Sequence, residues 1–383
     1  MRRLFGLAVV ATLAGAACAS GGATSGGAGP VRIVVEGPMS GDRASNGVDM
    51  WRAAMLMADS VNAAGGVLGR QVRLVQGDDA ADPVKGVALA REAAGTGVFA
   101  LIGPYNSSVG IRNLPLWISA GVVPIHLTSN SATNGMGYTV QPKDFQIAPV
   151  EAKAVIEFFK ARRVAIVFDE SAYTAGIASD VKARLEKGGV EVVLYERFTE
   201  GKEDPKKIVD AIGASKADLF YTSTYFPQGA SIAKEAAGRL KATCFMGLAN
   251  QDPGFVARAG TEASRQCSFS GVPSADQFPA ARGYVEEYRR KFQTTPGTWG
   301  TFTQDSLALL FDAVRRAGTW NREAVTRELS ATRHFTGLTG TIEIDPRTGN
   351  RVDVPIVVLN VSPQGDFIID SAWAQFAGFA IAR

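Results

Sequence analysis

Residues 61–70, VNAAGGVLGR, mark the turn at the centre of the first structural unit of the chain. The residues before them, 48–62, carry apolar side chains along one face, which predicts a helix. Three glycines inside VNAAGGVLGR end that helix, because glycine breaks helical patterns. Strand-like runs lie on either side, at residues 31–35 and 71–76. The pattern therefore predicts a strand–helix–strand unit of a parallel sheet.

The same alternation continues along most of the chain and predicts two lobes. Residues 31–145 and 150–270 each hold a series of short strands and longer helices, as in doubly wound parallel sheets. The helices predicted within residues 280–331 have no strands of their own and are expected to cover the first lobe. From residue 340 onward, the pattern predicts a strand meander. The predicted fold class is α/β, with two doubly wound parallel-sheet lobes joined by a multi-strand hinge.

The N-terminal segment is predicted to be an export signal. Within residues 1–18, two arginines precede an apolar run, and small residues then lead to Cys18. The last six of these residues, LAGAAC, resemble a bacterial lipobox, in which the cysteine is acylated and becomes the new N-terminus. Cleavage by ordinary signal peptidase near Ala19 is the alternative. Residues 19–30, rich in Gly and Ser, are predicted to form a flexible tether.

Composition and motifs argue against nucleic-acid binding and catalysis. The 383 residues include 40 Lys and Arg against 37 Asp and Glu, and no basic stripe marks a nucleic-acid surface. The two histidines, His126 and His334, have no Cys or carboxylate partners at metal-ligand spacing, so no metal or cofactor is predicted. The sequence has no Walker loop, nucleophile elbow or complete dinucleotide fingerprint. An enzyme is therefore not expected.

Two cysteines of the chain body are candidates for a disulfide. Cys244 and Cys267 each stand near the start of a short strand-like run. If the two strands are neighbours, both sulfurs lie at the same edge of a sheet, and an oxidising compartment permits a bridge. Two reduced, half-buried thiols are the alternative.

Polar and aromatic loops follow the strands of both halves and predict a ligand-binding cleft. In an open parallel sheet, ligands bind beyond the carboxyl ends of the strands. The candidate residues in these loops are Tyr105, Ser107, Ser108, Thr128, Ser129 and Asn130 in the first half, and Tyr173, Tyr225, Asn250 and Asp252 in the second.

Two features of these loops suggest how a ligand is held. The Tyr105 loop leads into a helix, whose first N–H groups suit a carboxylate, with simple capping as the alternative. Tyr173 and Tyr225 predict an aromatic clamp on the second lobe, with ordinary rim aromatics as the alternative.

Several stretches together resemble one family. They are residues 37–41 (GPMSG), 61–70, 78–83 (DDAADP), 101–107 (LIGPYNS), 168–173 (FDESAY) and 245–247 (FMG). The chain resembles the leucine/isoleucine/valine-binding group of periplasmic solute-binding proteins, the extracytoplasmic component of branched-chain amino-acid-type ABC importers. This resemblance spans residues 31 to about 370 and implies the type I periplasmic-binding-protein fold. It implies a first lobe of residues 31–147 plus about 275–338 and a second lobe of residues 148–274 plus about 339–383.

The resemblance also implies roles for the candidate residues. Ser107 and Asn130 resemble the residues that hold the ligand carboxylate in this family, with Thr128 lending a backbone carbonyl. Tyr173 and Tyr225 resemble the two tyrosines that cover the ligand.

One position departs from the family pattern. Asn46 falls where the family often places a further contact, but Ala249 stands where amino-acid-binding members carry a glutamate for the ligand ammonium. Asn250 flanks this position. Asp252 is a candidate partner for the ammonium, and the start of a helix at Asp252-Pro253 is the alternative interpretation. A buried ammonium without a carboxylate is costly. A branched-chain or related amino acid is therefore the default ligand, and an amide, a urea-like solute or an organic acid is the alternative.

These observations predict an exported, membrane-tethered monomer that binds a small polar solute by hinge closure. The resemblance implies that it delivers the solute to an ABC permease in the inner membrane. A lipoprotein that senses a ligand or activates a partner protein, for example in cell-wall synthesis, is the alternative function.

Overall fold

The computed structural model describes residues 29–199 and 201–379. The predicted signal peptide, Cys18 and most of the predicted tether lie outside the described residues. The fold is built from two main sheets, and each parallel strand is followed by a helix or a polar loop.

The first sheet has four parallel strands in the order β2-β1-β3-β4. Its strands and helices are β1 (Val31–Gly37), α1 (Ala44–Ala63), β2 (Val72–Asp78), α2 (Pro83–Ala93), β3 (Val98–Ile102), α3 (Ser107–Ser119) and β4 (Val123–Ile125). The turn between α1 and β2 explains the glycines of VNAAGGVLGR. Gly66 has a φ of +85°, and a Cβ there would lie 2.1 Å from the Arg70 carbonyl oxygen, so that only glycine fits.

The second sheet begins with five parallel strands. The elements are α4 (Asp144–Lys153, extended by a π-helical turn at Ala154–Phe158), β5 (Arg163–Asp169), α5 (Ala172–Lys187), β6 (Glu191–Phe198), α6 (Pro205–Ser215), β7 (Leu219–Ser223), α7 (Phe226–Ala236), β8 (Thr243–Met246), α8 (Pro253–Ala259), α9 (Thr261–Arg265) and β9 (Cys267–Gly271).

The C-terminal part contributes to both halves of the molecule. Its elements are α10 (Arg282–Phe292), α11 (Thr298–Ala317), α12 (Arg322–Ser330), β10 (Phe335–Gly337), β11 (Gly340–Ile342), β12 (Val357–Val361), β13 (Phe367–Ile369) and α13 (Ser371–Ala377). β12 and β13 complete the second sheet, whose order is β13-β12-β9-β8-β7-β5-β6, with antiparallel pairing at β9–β12 and β12–β13. The α/β class with two doubly wound lobes is thus confirmed.

The predicted C-terminal meander is wrong as a single unit. β10 and β11 form a separate two-stranded sheet, and only β12 and β13 join the second sheet. Periodicity identifies these strands but carries no information about which neighbour each one pairs with.

The helix α11 packs against α1 of the first half. Gln304 donates to the Ala53 carbonyl of α1 at 2.7 Å. Asp49, also on α1, accepts from the N–H groups of Gly297 (2.9 Å) and Gly300 (2.5 Å) at the start of α11. Residues that are about 250 positions apart in sequence therefore form one layer.

The chain passes between the two halves three times: between β4 and α4, between β9 and α10, and between α12 and β12. The first and third crossings lie side by side. The Thr139 N–H donates to the Gly349 carbonyl, and the Arg351 N–H donates to the Thr139 carbonyl, both at 2.9 Å. The buried guanidinium of Arg351 donates to the Thr339 hydroxyl at 2.7 Å and to two carbonyls of the third crossing. These bonds give the hinge a fixed polar core.

The two cysteines of the body are bonded in the structure. Cys244 and Cys267 face each other in register on β8 and β9, and their Cα atoms are 4.5 Å apart. The bridge lies at the amino ends of these strands, on the side of the sheet that is remote from their polar loops.

Candidate ligand-binding cleft

Tyr105 is placed by a glycine turn at the end of β3. Gly103 has a φ of +103°, and a Cβ there would lie 2.0 Å from the Glu36 carbonyl oxygen of β1. The chain therefore passes close to the neighbouring strand before it turns into α3. Tyr105 and Ser107, at this turn, are both buried.

Residues 128–131, here called the ligand loop, follow β4 and lie beside the start of α3. The Asn130 N–H donates to the Ser107 hydroxyl at 3.3 Å. Behind the loop, the buried ammonium of Lys143 donates to the carbonyls of Thr128 (3.3 Å) and Asn130 (2.8 Å) and to the Thr133 hydroxyl (2.8 Å). The Asp144 N–H donates to the Ser129 carbonyl on the same loop at 3.0 Å.

The second half contributes two tyrosines that face this loop. Tyr173 lies in the first turn of α5, which is capped by the Ser171 hydroxyl. Tyr225 directly precedes α7 and is 3% exposed. The centre of its ring lies 5.8 Å from that of Tyr173 in the same half. Across the gap between the halves, it lies 6.2 Å from that of Tyr105.

These side chains converge on a closed cleft between the two halves, with a cavity volume of about 10 Å³. Its aromatic wall consists of Tyr105, Tyr173, Tyr225 and Trp299. Its aliphatic wall consists of Leu127, Pro142, Ile147, Leu248 and Ala249. Three uncharged polar side chains complete it, namely Ser107, Ser129 and Gln141. The cavity volume is about that of one water molecule and far below the roughly 300–1,000 Å³ of ligand sites, so the wall side chains fill the cleft in this closed form.

Burial keeps the cleft tyrosines neutral. It raises the pKa of Tyr105 and Tyr173 well above the ordinary value, because the charged phenolate would lose its hydration. The phenol groups can therefore donate hydrogen bonds across the physiological range of pH.

Contacts between the two halves hold the cleft closed. The Ala172 N–H of α5 donates to the Ser108 hydroxyl at 3.1 Å, and its carbonyl accepts from Asn130 Nδ2 at 2.8 Å. The Ser45 hydroxyl of α1 contacts both carboxylate oxygens of Asp252 at 3.1 Å. In addition, the guanidinium of Arg43 lies 3.7 Å from the centre of the Tyr225 ring.

Five of the predicted site residues line the cleft: Tyr105, Ser107, Ser129, Tyr173 and Tyr225. Ser108 and Asn130 lie beside it and direct their side chains to Ala172 of the opposite half. The Thr128 hydroxyl bonds to His126 and Thr133, and its carbonyl accepts from Lys143.

The other three predicted residues also lie outside the cleft wall. Asn250 is buried within the second half, where its Nδ2 donates to the carbonyls of Thr224 (3.0 Å) and Gly247 (3.1 Å). Asp252 caps α8 through the Gly254 N–H at 2.7 Å. Asn46 is buried on α1 and does not line the cleft.

Sequence reasoning missed Trp299. It lies in the first turn of α11, three residues before residue 302, where the sequence pattern predicts the start of that helix, and its ring is 5.2 Å from that of Tyr105. The sequence places these two residues almost 200 positions apart. A tryptophan at the beginning of a helix whose other apolar residues form a regular stripe was the available signal.

Buried ionisable groups lie close behind the wall. Burial raises the pKa of the Glu151 carboxyl to about 7, and Glu151 accepts from the Tyr221 hydroxyl at 2.6 Å. Burial also lowers the pKa of Lys143 to about 7, and it raises that of Asp144 to about 7. Within residues 29–199 and 201–379, no group of three His, Cys, Asp or Glu side chains is placed to hold a metal ion.

Two α/β lobes that close over a small aromatic and polar cleft define a solute-binding protein of the two-lobed type. A family model for periplasmic binding proteins matches residues 30–366. The chain therefore belongs to the periplasmic binding protein family, which is a family of solute-binding proteins and not of enzymes. Membership implies an exported, periplasmic protein.

Individual relatives agree with this assignment. The chain is 31% identical over 269 residues to the Leu/Ile/Val-binding protein BraC3 of Rhizobium johnstonii. The aligned residues cover 68% of this chain and 72% of that protein. It is 27% identical over 279 residues to the Leu/Ile/Val-binding protein of Escherichia coli, with coverages of 71% and 76%. The structure of the leucine binding protein LivK from Thermotoga maritima is similar at a TM-score of 0.82 and 25% identity, covering 89% of this chain and 99% of that one.

None of the helices in the described part of the chain combines the length and the apolar character needed to cross a membrane.

Proposed function

We propose that this protein captures a small, mainly apolar organic solute in the cleft and delivers it, as a monomer, to an ABC permease in the inner membrane. The observation that carries this proposal is the meeting of the Tyr105–Ser107 turn with Tyr225 across one small cleft. Four aromatic rings and five aliphatic residues suit an apolar body. The start of α3, with its unbonded N–H groups, and the Ser107 hydroxyl suit a carboxylate or carboxamide head.

Capture occurs by closure of the lobes around the hinge. In the open form, the solute docks on the turn that carries Tyr105 and on the ligand loop. The second lobe then brings Tyr173 and Tyr225 over it, and the Ser108–Ala172 bond forms. The closed form is the one that a permease recognises.

Branched-chain amino acids are the first ligands to test, because the relatives named above bind leucine, isoleucine and valine. Amides, urea-like solutes and small organic acids follow. A thermal-shift screen of these classes, confirmed by calorimetry, is expected to yield at least one ligand that raises the melting temperature, by an amount that grows with the logarithm of its concentration.

A second candidate function is that of a ligand sensor or an activator of a partner protein. The direct contact between the Tyr105 and Tyr225 rings favours it, since these rings occupy much of the space that a solute would need. If no compound of a broad panel stabilises the protein, the transport proposal is refuted and the partner-binding function is supported.

The proposed location is the periplasmic side of a membrane, with an acyl anchor at Cys18. Labelling with radioactive palmitate is expected in the wild type and is expected to be lost in Cys18→Ala. Label that persists in the variant would exclude this residue as the anchor. A Ser20→Ala variant in the tether is the matched control and should keep its label.

A further inference from the structure

The cleft wall carries no charged side chain. All twelve of its residues lie in the described part of the chain, and none of them is charged. The hydroxyls of Ser107 and Ser129 and the amide of Gln141 can each donate or accept a hydrogen bond, but they cannot neutralise a charge. A ligand cation would therefore lie in the closed cleft without a counter-charge, and burial of an unpaired charge is costly.

Three buried carboxylates lie behind this wall and do not line it, namely those of Asp144, Glu151 and Asp252. Asp252 accepts from the Gly254 N–H at 2.7 Å and contacts the Ser45 hydroxyl at 3.1 Å. Glu151 accepts from the Tyr221 hydroxyl at 2.6 Å and is fully buried. Neither side chain lines the cleft.

Two carbonyls of the ligand loop are bonded behind the loop. Backbone carbonyls are the remaining groups that could accept from a cation, but those of Thr128 and Asn130 are directed to the Lys143 ammonium behind the loop. The peptide between Thr128 and Ser129 is trans. A planar trans peptide points its N–H opposite to its carbonyl, so the Ser129 N–H points away from Lys143. On the side where Ser129 lines the cleft, this peptide therefore presents its N–H donor and not its carbonyl.

We propose that the ligand of this cleft is a monocarboxylic acid without an α-ammonium group. This proposal rests on the function proposed above and specifies the head group of the solute. The carboxylate lies at the start of α3, where it accepts from the helix N–H groups and from the Ser107 hydroxyl. The apolar body lies among the four aromatic rings. An α-amino acid would place its ammonium against a wall that contains Ala249 and hydroxyls but no carboxylate.

The test compares four probes that share one isobutyl side chain, by calorimetry on the full mature protein. The probes are α-ketoisocaproate, isocaproate, L-leucine and isocaproamide. Both acids are expected to bind at least about tenfold more tightly than the amide, which lacks the charge that strengthens these hydrogen bonds, and than leucine, whose ammonium has no counter-charge in the wall. Leucine that binds as tightly as isocaproate overturns this inference but leaves the proposed function intact. An amide that binds as tightly as the acids overturns the requirement for a carboxylate. If none of the probes binds, the proposed function falls together with the inference.

A pair of variants tests the same point from the protein side. Ala249→Glu supplies a carboxylate in the wall and is expected to shift the ratio of leucine to isocaproate affinity by about tenfold or more towards leucine. Ala249→Gln is the matched control, with equal size and no charge, and is expected to leave the ratio nearly unchanged. Melting curves establish that both variants fold. A ratio that stays the same in Ala249→Glu, or changes equally in both variants, refutes the inference.

The role of Lys143 is that of a positioning residue. Lys143→Met releases the Thr128 carbonyl and is expected to weaken isocaproate binding by about tenfold while leucine binding changes less. Lys153→Met removes an exposed ammonium from the same helix and serves as the control. Equal losses for both probes in Lys143→Met would indicate a purely structural role and would contradict the assignment.

Discussion

The bond between Ser108 and Ala172 offers a direct test of closure. The Ser108 hydroxyl accepts from the Ala172 N–H at 3.1 Å, and the two residues belong to α3 and α5 of different lobes. Opening of the lobes separates these helices and breaks the bond. Ser108→Ala therefore removes an interaction that exists only in the closed form.

The magnitude follows from the type of bond. A neutral, partly buried hydrogen bond contributes about 1 kcal/mol net, which corresponds to about a fivefold change in an equilibrium constant. The population of the closed form falls by this factor, and the apparent Kd of the ligand rises by the same factor. Because the bond forms after docking, the loss is expected in the dissociation rate, with little change in the association rate.

Stopped-flow measurement of tryptophan fluorescence is a suitable assay, since Trp299 lies in the cleft wall. It uses whichever ligand the screen identifies. Ser119→Ala is the matched control, because the Ser119 hydroxyl donates to the Leu116 carbonyl within α3 at 2.9 Å and contacts no second lobe. Equal dissociation rates in the wild type and in Ser108→Ala would refute the role of this bond in closure.

Three further predictions concern the cleft, a buried carboxyl and the disulfide. Tyr225→Ala is expected to weaken ligand binding by more than about tenfold with the fold retained, because it removes a ring of the wall, and an unchanged Kd in calorimetry would exclude this ring from the site. Burial raises the pKa of Glu151 from 4.5 to about 7, so the free energy of unfolding falls as the pH rises through this window. Glu151→Gln should therefore be more stable than the wild type by up to about 3 kcal/mol near pH 8 and similar to it near pH 4, as measured by urea denaturation, and parallel pH profiles would contradict this. Replacing Cys244 and Cys267 by serine should lower the free energy of unfolding by about 3 kcal/mol for a sequence separation of 23 residues, with ligand affinity unchanged because the bridge lies at the far end of the strands. A Kd that rises with the loss of stability would place the bridge in the binding mechanism.

The sequence predicts the fold and five of the residues that line the cleft, because both depend on local patterns. Alternating strands and helices specify parallel sheets, and in such sheets the loops after the strands lie at one edge. Tyr105, Ser107 and Ser129 could therefore be assigned to the cleft from their positions after β3 and β4. Tyr173 and Tyr225 follow from the same rule applied to β5 and β7.

The partner of each polar side chain could not be predicted in this way. Asn130 and Ser108 have the same short polar character whether they bind a ligand or the backbone of Ala172. Asn250 is similar, because its amide satisfies carbonyls of its own lobe. Choosing between such partners requires the relative position of two lobes, and no local pattern contains that information.

Trp299 and the hinge show a related limit. The crossings bring α11 back to the first lobe and pair Thr139 with Gly349 and Arg351, and each of these contacts joins segments that are far apart in sequence. Helical periodicity predicts α11 itself but not the element against which its first turn packs.

The helix α4 joins the ligand loop to the hinge and to the second lobe. At its beginning, the Lys143 ammonium and the Asp144 N–H donate to three carbonyls of the ligand loop. In its first turn, Gln146 donates to the Arg351 carbonyl of the third crossing at 3.1 Å. Further along, Glu151 accepts from Tyr221 of the second sheet. A change in the ligand loop therefore acts on a helix that is bonded to both the hinge and the opposite lobe, so recognition of the head group and closure of the cleft share the same residues.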